Sequence, residues 1–200
     1  MTILAYIASS VLAYLLGSIS PGIIISHHFG TDIRSQGSKS TGATNMTRVM
    51  GLRLGLITFL SDFLKASLAV LIAYILSGTP GMLLAGLFVV IGHNWPVFYQ
   101  FKGGKGVACS LAVLFWICPV QTLIAGALAI LVIAMTRYVS LGSLTLLAMT
   151  FLLIIFTKGL WPVGVWALVL LALGVYQHRT NIKRLINGNE NKLNPRSSKK

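Results

Sequence analysis

The chain has 200 residues, of which 56% are hydrophobic and only 10% charged, and its formal net charge is +13. Soluble domains carry about 25% charged residues, so this composition excludes a soluble globular protein and indicates an integral membrane protein. The excess arises from 16 Lys and Arg against three acids, Asp32, Asp62 and Glu190; their placement between apolar runs argues against nucleic-acid binding and for anionic headgroups and an anionic substrate.

In chain order, the first apolar run, Ile3 to Phe29, reads as one mature membrane helix, because no Lys or Arg precedes Arg34 to form the charged start of a signal peptide. His27 and His28 fall at its cytoplasmic end. Further runs follow at Leu52 to Ser77, Gly81 to Phe101, Val107 to Met135, Val139 to Thr157 and Leu160 to Gln177. Most reach the ~20 residues that cross a bilayer. The link Gly78-Thr79-Pro80 is uncharged. Cys109 and Cys118 share one apolar run and read as core thiols, with neither a disulfide framework nor a metal site indicated.

One crossing per run would place the basic tail, from Arg179 to Lys200, opposite the segments carrying Arg34 to Arg53 and Lys102 to Lys105, against the positive-inside bias. The run from Val107 to Met135 resolves this. It would measure about 43 Å as one straight helix, longer than a ~30 Å hydrocarbon core. Pro119, near its middle, would end or kink a helix there. Dividing the run gives an all-α polytopic membrane protein of seven transmembrane helices, N-terminus outside and C-terminus cytoplasmic. The two halves are short, and need a locally thinned bilayer or shielding by neighbours. Residues 1–186 form the membrane-embedded domain and 187–200 a short basic cytoplasmic tail, the last dozen residues reading as disordered.

Three polar segments can carry chemistry. Asp32 to Arg48 is rich in hydroxyls, glycines and amides between two arginines. Small residues with glycine can form an N–H nest for an oxyanion, and Arg48 offers a fork to phosphate. Gly37 to Thr44 approaches the P-loop spacing, but Ala43 stands where its lysine is essential and no strand precedes it, so nucleotide hydrolysis is rejected. An ordinary polar loop with topology-setting charges explains this segment about as well. In His93 to Gly106, Trp95, Phe98, Tyr99 and Phe101 suit an interfacial aromatic belt. The cluster Lys102-Gly103-Gly104-Lys105-Gly106 is more specific: its glycines lead into a helix at Val107, whose positive end would present N–H groups to an anion. His93 can serve as a base, but reads first as a cap or a hydrogen-bonding group within the bundle. His178 and Asn181, three residues apart, share a helix face beside Arg179, Lys183 and Arg184. Alone, that segment reads as a charged stop after a membrane span.

Asp62 and Lys65 lie on neighbouring turns and are expected to neutralise each other within the membrane. Glu190, the one acid of the tail, is expected to pair with a cation. Ser140 and Ser143 either line the same cytoplasmic opening or serve helix packing. No carboxylate–histidine pair able to act as a base is evident in the sequence.

Together these segments resemble the bacterial acyl-phosphate-dependent glycerol-3-phosphate acyltransferase family. The likeness runs through Gly17-Ser18-Ile19, Asp32-Ile33-Arg34, Gly37-Ser38, Gly42-Ala43-Thr44-Asn45 with Arg48, and Asp62-Phe63-Leu64-Lys65. It continues through Gly92-His93, Pro96-Val97-Phe98, Phe101 to Ala108, Arg137 to Leu141, and His178 to Leu185 with Gly188 and Glu190, nearly the whole chain in order. The resemblance implies a seven-helix inner-membrane enzyme that moves an acyl group from acyl phosphate to the 1-hydroxyl of glycerol 3-phosphate, releasing lysophosphatidic acid and phosphate. It implies catalytic roles for Ser38, Arg48, Lys105, His178 and Asn181, which would hold the phosphorylated substrates. Gly42, Thr44, Asn45, Lys102, Gly103, Gly104 and Gly106 would complete substrate binding, and Asp62, Lys65 and Glu190 would maintain structure. No metal or other cofactor is implied. The partners are the two substrates, membrane lipids and an upstream acyl-phosphate-forming enzyme; nucleic acid is not among them. Acyl phosphate is already activated, so no covalent nucleophile is required, and the substrate phosphate itself would accept the hydroxyl proton. The chain departs from the family at Ser20, where proline is usual, at Lys39-Ser40 in place of Gly-Asn, at Ala66 in place of glycine and at Cys109 in place of threonine. The alternatives are a membrane carrier for an organic phosphate and a divergent paralogue with another acceptor.

Overall fold

The computed structural model describes residues 3–193 and is helical throughout, with no strand among the described residues. The helices are α1 (Ile3–Ser18), α2 (Pro21–His28), α3 (Ala43–Met50), α4 (Leu52–Asn94), α5 (Val107–Ile117), α6 (Pro119–Thr136), α7 (Val139–Lys158), α8 (Val163–Gln177) and α9 (Arg179–Ile186). Short 3₁₀ turns lie at Ile33–Ser35 and Val97–Tyr99. The stretches Ile3–His28, Leu52–Tyr99, Pro119–Thr136 and Val139–Lys158 are long and apolar enough to span a bilayer, and Val107–Ile117 and Val163–Gln177 are shorter apolar helices. Exposed Ile3, Leu123, Ile130 and Phe156 belong to the lipid-facing surface of an integral membrane protein.

The contacts divide the chain into two compact units, one reaching Val113 and one starting at Leu114. In the first, the run expected to form a single helix is broken. Ser20 is extended (φ −111, ψ 93) because a residue preceding proline is disfavoured in the helical region, and Pro21 starts α2, where its missing N–H is harmless. α4 would be about 64 Å long if straight, but Gly78 takes a left-handed conformation (φ 63, ψ −163) that interrupts it just before Pro80. α1 packs along α4. Small residues set their approach: a Cβ at Gly92 would run into the Tyr14 carbonyl, and one at Gly17 into that of Val89. Ser9 and Ser77 hydroxyls meet at 3.2 Å, and the Tyr14 hydroxyl donates to Trp95 O at 2.9 Å.

The division at Pro119 is found as expected: α5 ends at Ile117, Cys118 leaves the helical region (φ −140, ψ 66), and Pro119 opens α6. In the second unit α6 returns as α7 across Arg137 and Tyr138, with Arg137 left-handed (φ 62). The tail departs from the disorder expected of it. Asn189 N donates to Arg184 O at 2.9 Å, and Leu193 N to Arg137 O at 2.8 Å. Residues 194–200, the rest of that expectation, lie outside the described residues.

Candidate active site

The first polar segment folds around Asn45. Its buried carboxamide donates from Nδ2 to Ile33 O (3.2 Å), Gln36 O (3.0 Å) and Ser40 O (2.9 Å), and its Oδ1 accepts from Ser38 N at 2.8 Å. These bonds take up both amide protons, so Asn45 acts on the loop rather than presenting a free donor to a ligand. Gly42 is the N-cap of α3, which carries Thr44 in its first turn and Arg48 in its last. Gly42 O accepts from the N–H groups of Asn45 at 3.0 Å and Met46 at 3.2 Å. Ile23, Ile33 and Met46 form a buried floor beneath it, and Tyr99, just ahead of the glycine cluster, packs against that floor. Lys39 sits in the left-handed region at φ 58.

Arg34 is committed elsewhere. Its guanidinium holds Asp32 through Nε (3.0 and 3.2 Å) and Nη2 (2.9 Å), and its N–H donates to Asp32 Oδ1 at 2.9 Å. These side-chain and backbone bonds hold the Asp32 carboxyl below its ordinary 3.8, and Arg34 is raised in turn by Asp32. The pair is partly exposed and fixes the entry of the loop.

The glycine cluster lies against the end of α4. Gln100 and Phe101 are left-handed (φ 56 and 58), turning the chain back, with Phe101 N donating to Pro96 O at 3.0 Å and Lys102 N to Tyr99 O at 3.1 Å. A Cβ at Gly103 would overlap the His93 carbonyl, and one at Gly104 the His93 ring at Nε2. Gly106 (φ 75) faces the Asn94 side chain, whose buried carboxamide has no hydrogen-bond partner among the described residues. These glycines therefore serve close approach. The Gly104 N–H donates to His93 O at 3.1 Å.

Beneath this loop is a buried charge cluster. Lys65 Nζ lies 2.8 Å from Asp62 Oδ1 and donates to Ile19 O at 2.6 Å, a carbonyl next to the α1–α2 break. His93 Nδ1 is 3.2 Å from Asp62 Oδ1 and 3.1 Å from Lys65 Nζ. The carboxylate–histidine pair not evident in the sequence is therefore present. Its partners are 31 positions apart and meet only because α4 breaks at Gly78. The available signal was the demand of an intramembrane acid for partners. Cys109 donates its thiol to Asp62 O at 3.4 Å. Asp62, His93 and Cys109 offer ligand atoms within 4.8 Å of one another, but the Lys65 ammonium already supplies the cation at Asp62, and we assign no metal there.

In the second unit, His178 sits at the junction of α8 and α9, buried, its Nδ1 donating to Gly174 O at 2.8 Å. Asn181 Nδ2 donates to Glu190 Oε1 at 2.7 Å, Ser140 Oγ donates to the same oxygen at 3.0 Å, and Arg184 Nε reaches Oε2 at 2.8 Å. Burial alone would raise the Glu190 carboxyl, but bonds from Arg184, Asn181 and Ser140 outweigh it and hold the group below its ordinary 4.5. Glu190 thus ties α7 to α9. Ser143 bonds back to its own helix at Val139 O. Of the residues singled out from sequence, Ser38, Gly42, Thr44, Asn45 and Arg48 are gathered in the loop and α3, and Lys102, Gly103, Gly104, Lys105 and Gly106 follow α4. His178, Asn181 and Glu190 are gathered in the second unit.

The sequence profile described as "Glycerol-3-phosphate acyltransferase" matches residues 7–188. A glycerol-3-phosphate acyltransferase of Clostridioides difficile (strain 630) is 46% identical over 200 residues, covering 96% of this chain and 98% of its own. One from Thermoanaerobacter sp. (strain X514) is 44% identical over 190 residues, covering 94% and 95%. Among solved structures, the glycerol 3-phosphate form of PlsY (YgiH), an integral membrane glycerol 3-phosphate acyltransferase, superposes with a TM-score of 0.88 at 41% identity, covering 94% of this chain and 96% of that one. The lysophosphatidic acid form of PlsY gives 0.85 at 40% identity, covering 95% and 96%.

Proposed function

The chain belongs to the glycerol-3-phosphate acyltransferase family, and we propose that its loops bind acyl phosphate and glycerol 3-phosphate together on the cytoplasmic face of the bacterial inner membrane. It is an enzyme that acylates glycerol 3-phosphate to lysophosphatidic acid, a step of phospholipid synthesis. The donor is acyl phosphate, delivered by an upstream acyl-phosphate-forming enzyme. The interruption of α4 at Gly78 and the division at Cys118 support seven crossings, with the N-terminus outside and the basic tail 187–200 in the cytoplasm. Under that topology the basic loops meet the anionic leaflet and soluble glycerol 3-phosphate.

The observation that carries the reading is the construction of the two loops in the first unit. Asn45 braces the Ser38 backbone, α3 carries Arg48, and the glycine cluster brings Lys105 to the start of α5. The 1-hydroxyl oxygen attacks the acyl carbonyl carbon, a C–O bond forms, and the bond from that carbon to the phosphate oxygen breaks, releasing inorganic phosphate. The hydroxyl proton passes to a substrate phosphate oxygen. Arg48, Lys105 and Ser38 neutralise charge growing on the leaving phosphate and the carbonyl oxygen. Binding both reactants in one site supplies proximity. Gly42, Thr44, Lys102, Gly103, Gly104 and Gly106 shape the glycerol-phosphate site, Asn45 acts through the loop it braces, and Asp62, Lys65 and Glu190 hold the framework. Purified protein in detergent, given labelled glycerol 3-phosphate and acyl phosphate without vesicles, separates this reading from a carrier, which would convert nothing. Arg48→Ala and Lys105→Ala should each lower kcat/KM by about 100-fold or more; near wild-type transfer would overturn the assignment.

A further inference from the structure

A loop with glycine at three of six positions has little stiffness of its own. If Lys105 and the start of α5 are to meet a phosphate in fixed geometry, something outside the loop must hold its path. His93 makes two contacts suited to this. Its carbonyl accepts the Gly104 N–H at 3.1 Å, and its Nε2 edge occupies the space where a side chain at Gly104 would begin, with Cδ2 and Cε1 each 3.1 Å from a Cβ placed there. The ring is fixed from its other side, with Nδ1 at 3.2 Å from Asp62 Oδ1 and 3.1 Å from Lys65 Nζ, and only 5% of the residue is exposed. Lys65 is anchored in turn by Asp62 at 2.8 Å and by Ile19 O at 2.6 Å.

We propose that His93 is a positioning residue for the acceptor: its pinned ring sets the path of Gly103 to Lys105, and with it the affinity for glycerol 3-phosphate. This rests on the reading that the glycine loop binds that substrate. Continuous constraint runs from the break after α1, through Lys65 and Asp62, to the ring, to Gly104 and on to Lys105. The Nε2 edge is turned on the Gly104 backbone, so the ring shapes the loop.

The test is a double-mutant cycle on the full-length enzyme, reading KM for each substrate, kcat and thermal unfolding in detergent. Gly104→Ala should raise KM for glycerol 3-phosphate by about 10–100-fold, since its methyl displaces the loop from the ring. His93→Asn keeps a donor and an acceptor for Asp62 and Lys65 but withdraws the ring edge. It should raise the same KM by about 10-fold, leaving KM for acyl phosphate and the unfolding midpoint near wild type. The vacated space accepts the alanine methyl, so His93→Asn with Gly104→Ala should bind the acceptor no worse than His93→Asn alone. His93→Ala, where folded, should behave as His93→Asn. Additive effects, equal shifts in both KM values, or unchanged acceptor KM in either Gly104→Ala or folded His93→Asn would overturn the proposal. Wild-type protein that failed to acylate glycerol 3-phosphate would instead remove the functional reading, so the two failures are distinguishable.

Discussion

Replacing Asn45 removes a brace rather than a ligand, and the size of the effect follows from its bonds. Asn45→Ala removes the side-chain partner of four main-chain groups, Ser38 N and the carbonyls of Ile33, Gln36 and Ser40, of which the Ile33 and Gln36 carbonyls keep the N–H groups of Gln36 and Lys39. Ile33 is buried, whereas Gln36 is exposed and Ser38 and Ser40 are partly exposed, so water can take over most of these bonds. At about 1 kcal/mol for each bond and partial replacement by water, the loop loses about 2 kcal/mol of order. About 1.4 kcal/mol corresponds to a factor of ten in rate, so kcat/KM should fall about 30-fold. Asn45→Asp should be worse. It keeps an acceptor for Ser38 N but sets a carboxylate oxygen against three carbonyls in a buried position. The assay is acyl transfer by purified enzyme, with unfolding followed in parallel to separate local from global loss. If Asn45→Ala stays within about two-fold of wild type, or Asn45→Asp is the milder change, the brace argument is wrong.

The Glu190 carboxyl, held below its ordinary 4.5 in the folded protein, contributes stability that is complete above that value and is lost as pH falls through the lower folded one. Glu190→Gln should destabilise by about 1–3 kcal/mol near neutrality and flatten the acid limb of the unfolding midpoint against pH; an unchanged limb would remove Glu190 from the acid response. Gly92→Ala sets a methyl against the Tyr14 carbonyl on α1 and should cost about 1–3 kcal/mol, read as a lower midpoint in detergent. An unaltered midpoint would mean that α1 can move off α4 freely. Lys39→Gly relieves a left-handed lysine at φ 58 worth about 1 kcal/mol, and should slow hydrogen exchange of the loop amides; faster exchange would refute the strain.

The parts of this fold legible in the sequence were those that single residues dictate. Pro119 marks the end of one helix wherever the helix goes, and the spacing of Asp62 and Lys65 makes them neighbours on any helix. Pro21 carried the same kind of signal, but the apolar run continued past it, and hydrophobicity alone does not register an elbow. What stayed hidden depends on return of the chain. His93 meets Asp62 only after the break at Gly78, and Ser140 meets Glu190 across 50 positions. Asn45 is polar whether it points at a ligand or into its own loop, and composition does not distinguish the two. The tail reads as disordered by composition because the bonds of Glu190 to Ser140 and of Leu193 to Arg137 are to partners supplied by tertiary structure.

Tyr99 has one flank on the floor formed by Ile23, Ile33 and Met46 and is followed almost at once by the lysine–glycine cluster. Enlargement at position 33 or 46 must therefore be answered by contraction at 99, or the error reaches Lys102 and Lys105. Variant libraries that randomise one region against a fixed background of the other will find fewer working combinations than joint libraries of equal size.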